Sequence, residues 1–204
     1  MTDSDLFLEF WFGAPAEDDA TLRAKLRRWF VGAPEIDRLI HDRFGYLVEQ
    51  ALTGLLHHWA CTPRRRLALI LLLDQATRHL YRDTPRALAG DGYALRLALE
   101  SLDRGLAAEY SLEERLFLHS PLAHAEDRGL LTRAVALTVR LVQAAPAEVR
   151  PAYEIRLRQV RKQEATIYRF GRFPQRNPVL GRKSTMEERA FLLDETNFAP
   201  PAGL

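Results

Sequence analysis

One cysteine, Cys61, is all the thiol the chain has, so an internal disulfide is excluded and a reducing, cytoplasmic setting is expected. Charge of one sign is equally scarce. Lys and Arg number 29 against 27 Asp and Glu, a net +2, which is no nucleic-acid-sized basic field, so nucleic acid is not expected as a partner. The longest strongly apolar run, Leu67 to Leu73, falls far short of the roughly 20 residues that cross a bilayer, and no membrane association is expected. The acidic start Met1-Thr-Asp-Ser-Asp5 lacks the basic region of a signal peptide. Alternating β-branched runs are missing, which removes sandwiches and barrels. Missing too are His-Glu-x-x-His, paired Cys-x-x-Cys, the di-iron Glu-x-x-His pair, a glycine-rich phosphate loop and a Gly-x-Ser-x-Gly elbow, so neither metal nor cofactor is expected.

What is present is helical periodicity punctuated by proline. Prolines at 15, 34, 63, 85, 121, 146, 151, 174 and 178 leave windows the size of one or two helices. Leu22, Leu26, Trp29 and Phe30 share one helix face. Pro34 suits a first turn, and the stripe from Ile36 to Leu55 predicts one long helix or two stacked ones, with Gly45 and Gly54 as the points of bending. A helix from Arg65 to Arg82 is apolar on all sides across its first half, as central helices are. Shorter helices follow from Asp91 to about Arg104 and from Glu113 to Leu118, the latter stopped near Pro121. Another runs from Ala125 to Ala144. Pro151 opens a basic helix that ends near Gly171. Ser184 with Glu187, or Thr185 with Glu188, forms a capping box for a last helix. The expectation is an all-α chain of antiparallel helix pairs, a bundle or short superhelix of roughly eight to ten helices. It forms one domain over residues 1–204 with an extended tail from about 197.

Three segments carry candidate chemistry. Asp74, Arg78 and Arg82 stand at i, i+4 and i+8 on a helix that begins buried, which suits a polar pocket or an intrahelical ion pair on a solvated face; His79 lies beside them. His124 and Asp127 at i, i+3 can meet on a first turn, with Glu126 between them. A carboxylate there would fix the imidazole tautomer for proton transfer, whereas the plain reading of both acids is capping of a helix N-terminus. Arg169, Arg172 and Arg176 are interleaved with Phe170, Phe173 and two prolines and followed by Asn177. This stiff cationic loop suits a carboxylate or phosphate, or else anchors helix C-termini.

Other features read as structure. His57 and His58 point to different sides of a helix. Arg64-Arg-Arg66 is a solvated helix start, and Cys61 a small packed residue. The basic helix with Arg156, Arg158, Arg161 and Lys162 has acidic company and no aromatic platform for RNA.

Taken in order, these segments resemble a bacterial domain-of-unknown-function family, number nine hundred and twenty-four, classed as TPR-like and α-superhelical. The resemblance rests on Leu8-Glu-Phe-Trp-Phe-Gly13, Leu72-Leu-Asp-Gln75 with Arg78, Tyr81-Arg82 and Thr84-Pro-Arg-Ala87, then His124 with Glu126-Asp127. It continues through Arg169-Phe-Gly-Arg-Phe-Pro174, Arg176-Asn177, Leu180-Gly-Arg182, Ser184-Thr185 and Glu187-Glu188. It implies helices facing a concave groove on which the three segments converge, and no particular activity. The chain departs from the family pattern at Ala76-Thr77 (Phe-Pro), His79 (Asn), Ala125 (Ser), Gln175 (His) and near Gln163 (a further His), which implies an altered pocket.

Three functions follow as expectations. The first is a metal-free enzyme acting on a small anionic metabolite by hydrolysis, elimination or isomerisation. There Arg172, Arg176 and Arg82 hold the anion, with Asn177 and His79 nearby. His124, oriented by Asp127 or Glu126, moves a proton, and Asp74 with Arg78 sets the field. The second is a non-catalytic TPR-like module that receives a peptide or protein partner in its groove. In the third the arginines only lock the C-terminal loop over the helices. The oligomeric state is open, a dimer included.

Overall fold

A computed structural model describes residues 1–31 and 34–194, so the extended tail expected from about 197 lies outside the described residues. Every regular element in them is helical. Helix α1 (Asp3–Phe12) starts from a Thr2/Asp5 capping box. Helix α2 (Asp19–Leu26), capped by Asp18, widens into a π turn at Arg27–Val31. Helix α3 (Pro34–Leu52) settles the choice left open by the sequence: it is one helix, with Gly45 inside it. Gly54 follows in the turn beyond, at φ +85°, a conformation that suits glycine.

The next helix runs over 63–80 in three parts, α4 (Pro63–Leu71), a π turn (Leu72–Ala76) and α5 (Thr77–Leu80). Its apolar residues from Leu67 to Leu73 are fully buried, as an all-round apolar run requires, and α4 packs against α1, α6 and α7. Then come α6 (Asp91–Asp103), α7 (Leu112–Ala123), α8 (Arg128–Ala144), α9 (Arg150–Phe170) and α10 (Met186–Leu193). Gly171 closes α9 in the left-handed conformation, and Thr185 with Glu188 forms the capping box of α10. Helices α8 and α9 lie antiparallel: Arg128 donates to the Tyr168 carbonyl and Thr132 to Glu164. The aromatic centre of the core is Phe117, ringed by Trp11, Phe12, Trp29 and Phe30 with centroids 4.9 to 5.7 Å away. No helix among the described residues is long and apolar enough to cross a membrane.

Four sequence expectations need correction. Helix α7 does not stop at Pro121 but carries it inside, because residues 116–123 are all buried and their packing outweighs one lost backbone hydrogen bond. The following helix begins at Arg128, not Ala125, so residues 124–127 form a connection. Arg66 is 4% exposed, held by the carbonyls of Ala60 and Leu97 and by Glu100. Cys61 is exposed, not packed.

Candidate functional site

The π turn places one residue more per turn than an α-helix and presents Asp74 inward, where it is 0% exposed. Its Oδ1 accepts from Nδ1 of His124 at 2.7 Å, and Oδ2 accepts from the Gln75 amide. Arg78 brings Nη1 within 3.3 Å of Oδ1 and also donates to the Asp74 carbonyl. The second partner of Arg78 is Asp91, the first residue of α6, in a two-bond fork of 2.8 and 2.9 Å. Gly90 makes that meeting possible. A Cβ there would stand 2.3 Å from the Leu73 carbonyl oxygen, so only glycine lets α6 begin against the π turn. From the C-terminal loop, Arg176 stacks over Phe173 at 4.7 Å and reaches within 3.9 Å of Asp91. From α9, Arg156 lies over the Phe30 ring at 4.7 Å, near enough for the Asp74 charge to act on it.

Three guanidinium groups, Arg78, Arg156 and Arg176, therefore surround two carboxylates, Asp74 and Asp91. Burial pushes the Asp74 carboxyl up, but the charges of His124 and Arg78 and the hydrogen bonds from His124 and Gln75 outweigh it and hold the group well below the usual range. Burial lowers His124 below its ordinary value against the opposing pull of Asp74. Asp74 is thus a carboxylate; His124 is cationic only at acid pH, and at neutral pH it is a neutral ring that donates from Nδ1, leaving Nε2 as a base with no partner among the described residues. Burial lowers Arg156 to about 10, so it remains a cation at neutral pH. Burial and the neighbouring Arg78 also lower Arg176. The cluster has an oriented base and one cation in excess, the requirements for holding an anion and moving a proton.

The family described as "Bacterial protein of unknown function (DUF924)" matches residues 7–196. The chain belongs to DUF924. A solved structure of a protein of unknown function from Agrobacterium tumefaciens is similar to it, with 31% identity and a TM-score of 0.77, covering 94% of this chain and 97% of that one. No curated protein matches the sequence.

In this DUF924 chain the expected residues divide. Asp74, Arg78, His124 and Arg176 come together. Asp127 and Glu126 do not orient His124: Asp127 caps α8 by accepting from the Leu130 N–H at 2.8 Å, as the capping reading held. Glu126 accepts from the Phe173 N–H at 2.8 Å and from Arg182 at 2.6 and 2.9 Å. Arg82 leaves the Asp74 face because the helix ends at Leu80, and it pairs with Asp37 at 2.9 Å. His79 meets the same Asp37 at 2.6 Å and lies against Trp11, outside the cluster. Arg172 is taken up by Glu188 in a fork of 2.6 and 2.8 Å, and that hydrogen bond, above all, holds the Glu188 carboxyl down to about 2. Asn177 is buried as a loop anchor, donating to Ser184 Oγ at 3.0 Å and Glu188 at 3.3 Å.

Asp91, Arg156 and His119 are not among the site residues expected from the sequence, where Arg156 stands only as part of a basic helix. Arg156 had a visible signal, since it falls between Tyr153 and Val160 on the buried stripe of α9. Among the described residues no group of three His, Cys, Asp or Glu is placed to hold a metal ion.

Proposed function

We propose that this chain is an enzyme that binds a small anionic metabolite, a carboxylate or phosphate, between its helices, with His124 moving a proton. The observation that carries this reading is the 2.7 Å contact between His124 Nδ1 and a fully buried carboxylate. It orients the ring and leaves Nε2 as the working atom. Asp74 positions His124. Arg176, whose carboxylate partner is only loosely engaged at 3.9 Å, turns to the ligand. Arg78 is committed to Asp91 and Asp74 and keeps the pair in place. The test is a thermal-shift screen of carboxylates and phosphates on the wild type, Arg176→Met and His124→Asn. A hit should bind Arg176→Met at least about tenfold more weakly, the value of one charge-assisted hydrogen bond. His124→Asn keeps a donor for Asp74 and should bind the hit but not convert it. Equal binding of every hit by Arg176→Met refutes the role of Arg176, and undiminished conversion of a hit by His124→Asn refutes that of His124.

The second reading is a TPR-like binding module without chemistry. It is supported by a separate surface cleft of about 370 Å³, lined by Leu8, Phe12, Pro15, Leu112, Val149 and Tyr153 with Glu9 at its rim. That cleft contains none of the Asp74 cluster. A peptide partner whose binding is lost in Leu112→Arg and kept in His124→Asn would favour it.

A further inference from the structure

Two arginines in this molecule are almost equally buried, and their surroundings differ. Arg66, 4% exposed, gives hydrogen bonds to two carbonyls and a carboxylate. Arg156, 5% exposed, has one hydrogen bond, a long one of 3.5 Å to Gln159 Oε1, and the face of Phe30. Its other donors have no acceptor among the described residues, although a buried guanidinium normally finds several. His119 has the same deficit. It is 6% exposed, its Nδ1 has no partner, and the charges acting on its ring are those of Arg115, Arg156 and Arg133. Arg115 is spent on the Tyr110 carbonyl and Arg133 on Asp103. Of the three arginines whose charges act on His119, Arg156 is the one without a backbone-carbonyl or carboxylate hydrogen-bond partner among the described residues.

We infer that Arg156 and His119 form an oxyanion subsite, which takes the carboxylate, phosphate or sulfate-like group of the ligand. This rests on the proposed function and deepens it: the subsite holds the anionic end while His124 works on another part of the same molecule. His119 lies on α7 and His124 is the residue that caps its C-terminal end, five positions on and about 7.5 Å along the helix axis, so the reacting atom lies several bonds from the anionic group. A bare short acid would not span both.

The test uses sulfate, which is a dianion throughout the accessible pH range. Sodium sulfate is titrated into the full-length protein by calorimetry, against sodium chloride at matched ionic strength. The inference expects saturable sulfate binding, weakened at least about tenfold in Arg156→Met and severalfold in His119→Leu. It also expects unchanged affinity, within about twofold, in His124→Asn. Loss of the heat in His124→Asn alone would contradict the assignment, as would sulfate no better than chloride, or full binding by Arg156→Met. Should Arg156→Met fail to fold, the wild-type His119 ring nitrogens report directly: sulfate must shift them, and no shift overturns the subsite. Sulfate binding together with undiminished conversion of a screened carboxylate or phosphate by His124→Asn would leave the subsite standing and refute the proposed chemistry.

Discussion

Asp74→Ala removes a carboxylate shared by His124, Arg78 and Gln75 in a fully buried setting. Breaking such a pair costs about 3–5 kcal/mol, and the loss should appear as a lower urea midpoint with an unchanged slope. His119 gives a pH signature. Burial, with the charges of Arg115, Arg156 and Arg133, lowers it to about 4, so the folded protein binds its proton less readily than the unfolded chain. The stability this contributes is whole above the unfolded value near 6.5 and is lost as pH falls toward 4, roughly 3 kcal/mol in all. In His119→Leu the stability profile should be flatter between pH 6.5 and 4 than in the wild type. An unchanged acid limb would place His119 in contact with solvent.

At the scale of elements, the meeting of α6 with the π turn sets the site. Gly90→Ala must push the chain away from the Leu73 carbonyl, at a cost of about 2–4 kcal/mol, and it pulls Asp91 off Arg78. Thermal unfolding checks the first effect. The second should weaken ligand binding even at temperatures where the variant is folded. The helices themselves were legible from proline spacing, apolar stripes and capping boxes, because these are local devices. Legibility failed where packing overrode a local rule. Pro121 sits inside α7 because the surrounding side chains are buried, and Arg82 left the face of Asp74 because a π turn and an early helix end broke the α-helical spacing. No periodicity could show that His124 belongs to Asp74, 50 positions away, in place of Asp127, which is three away and caps a helix.

Across the whole molecule, the C-terminal loop is strapped over the helices by two ion-pair forks, Arg182 on Glu126 and Arg172 on Glu188. Between them the loop carries Arg176 to the cluster. In the arginine-rich segment Arg169 and Arg172 pair with Glu187 and Glu188 of α10, and Arg176 is the one that reaches Asp91. Glu126→Gln should barely change global stability, by no more than about 1 kcal/mol, since the pair is partly exposed. It should nonetheless raise hydrogen exchange across residues 172–182 and weaken anion binding through Arg176. Unchanged exchange would show that the phenylalanines alone hold the loop.

The state of His124 is where all scales meet, and the nitrogen spectrum of its ring at pH 7 measures it most directly. The geometry requires a neutral imidazole with its proton on Nδ1 toward Asp74 and Nε2 bare, persisting as the pH is lowered past 6.5. A cationic ring at pH 7, or a neutral ring protonated on Nε2, would contradict the carboxylate-oriented base on which the proposed chemistry depends.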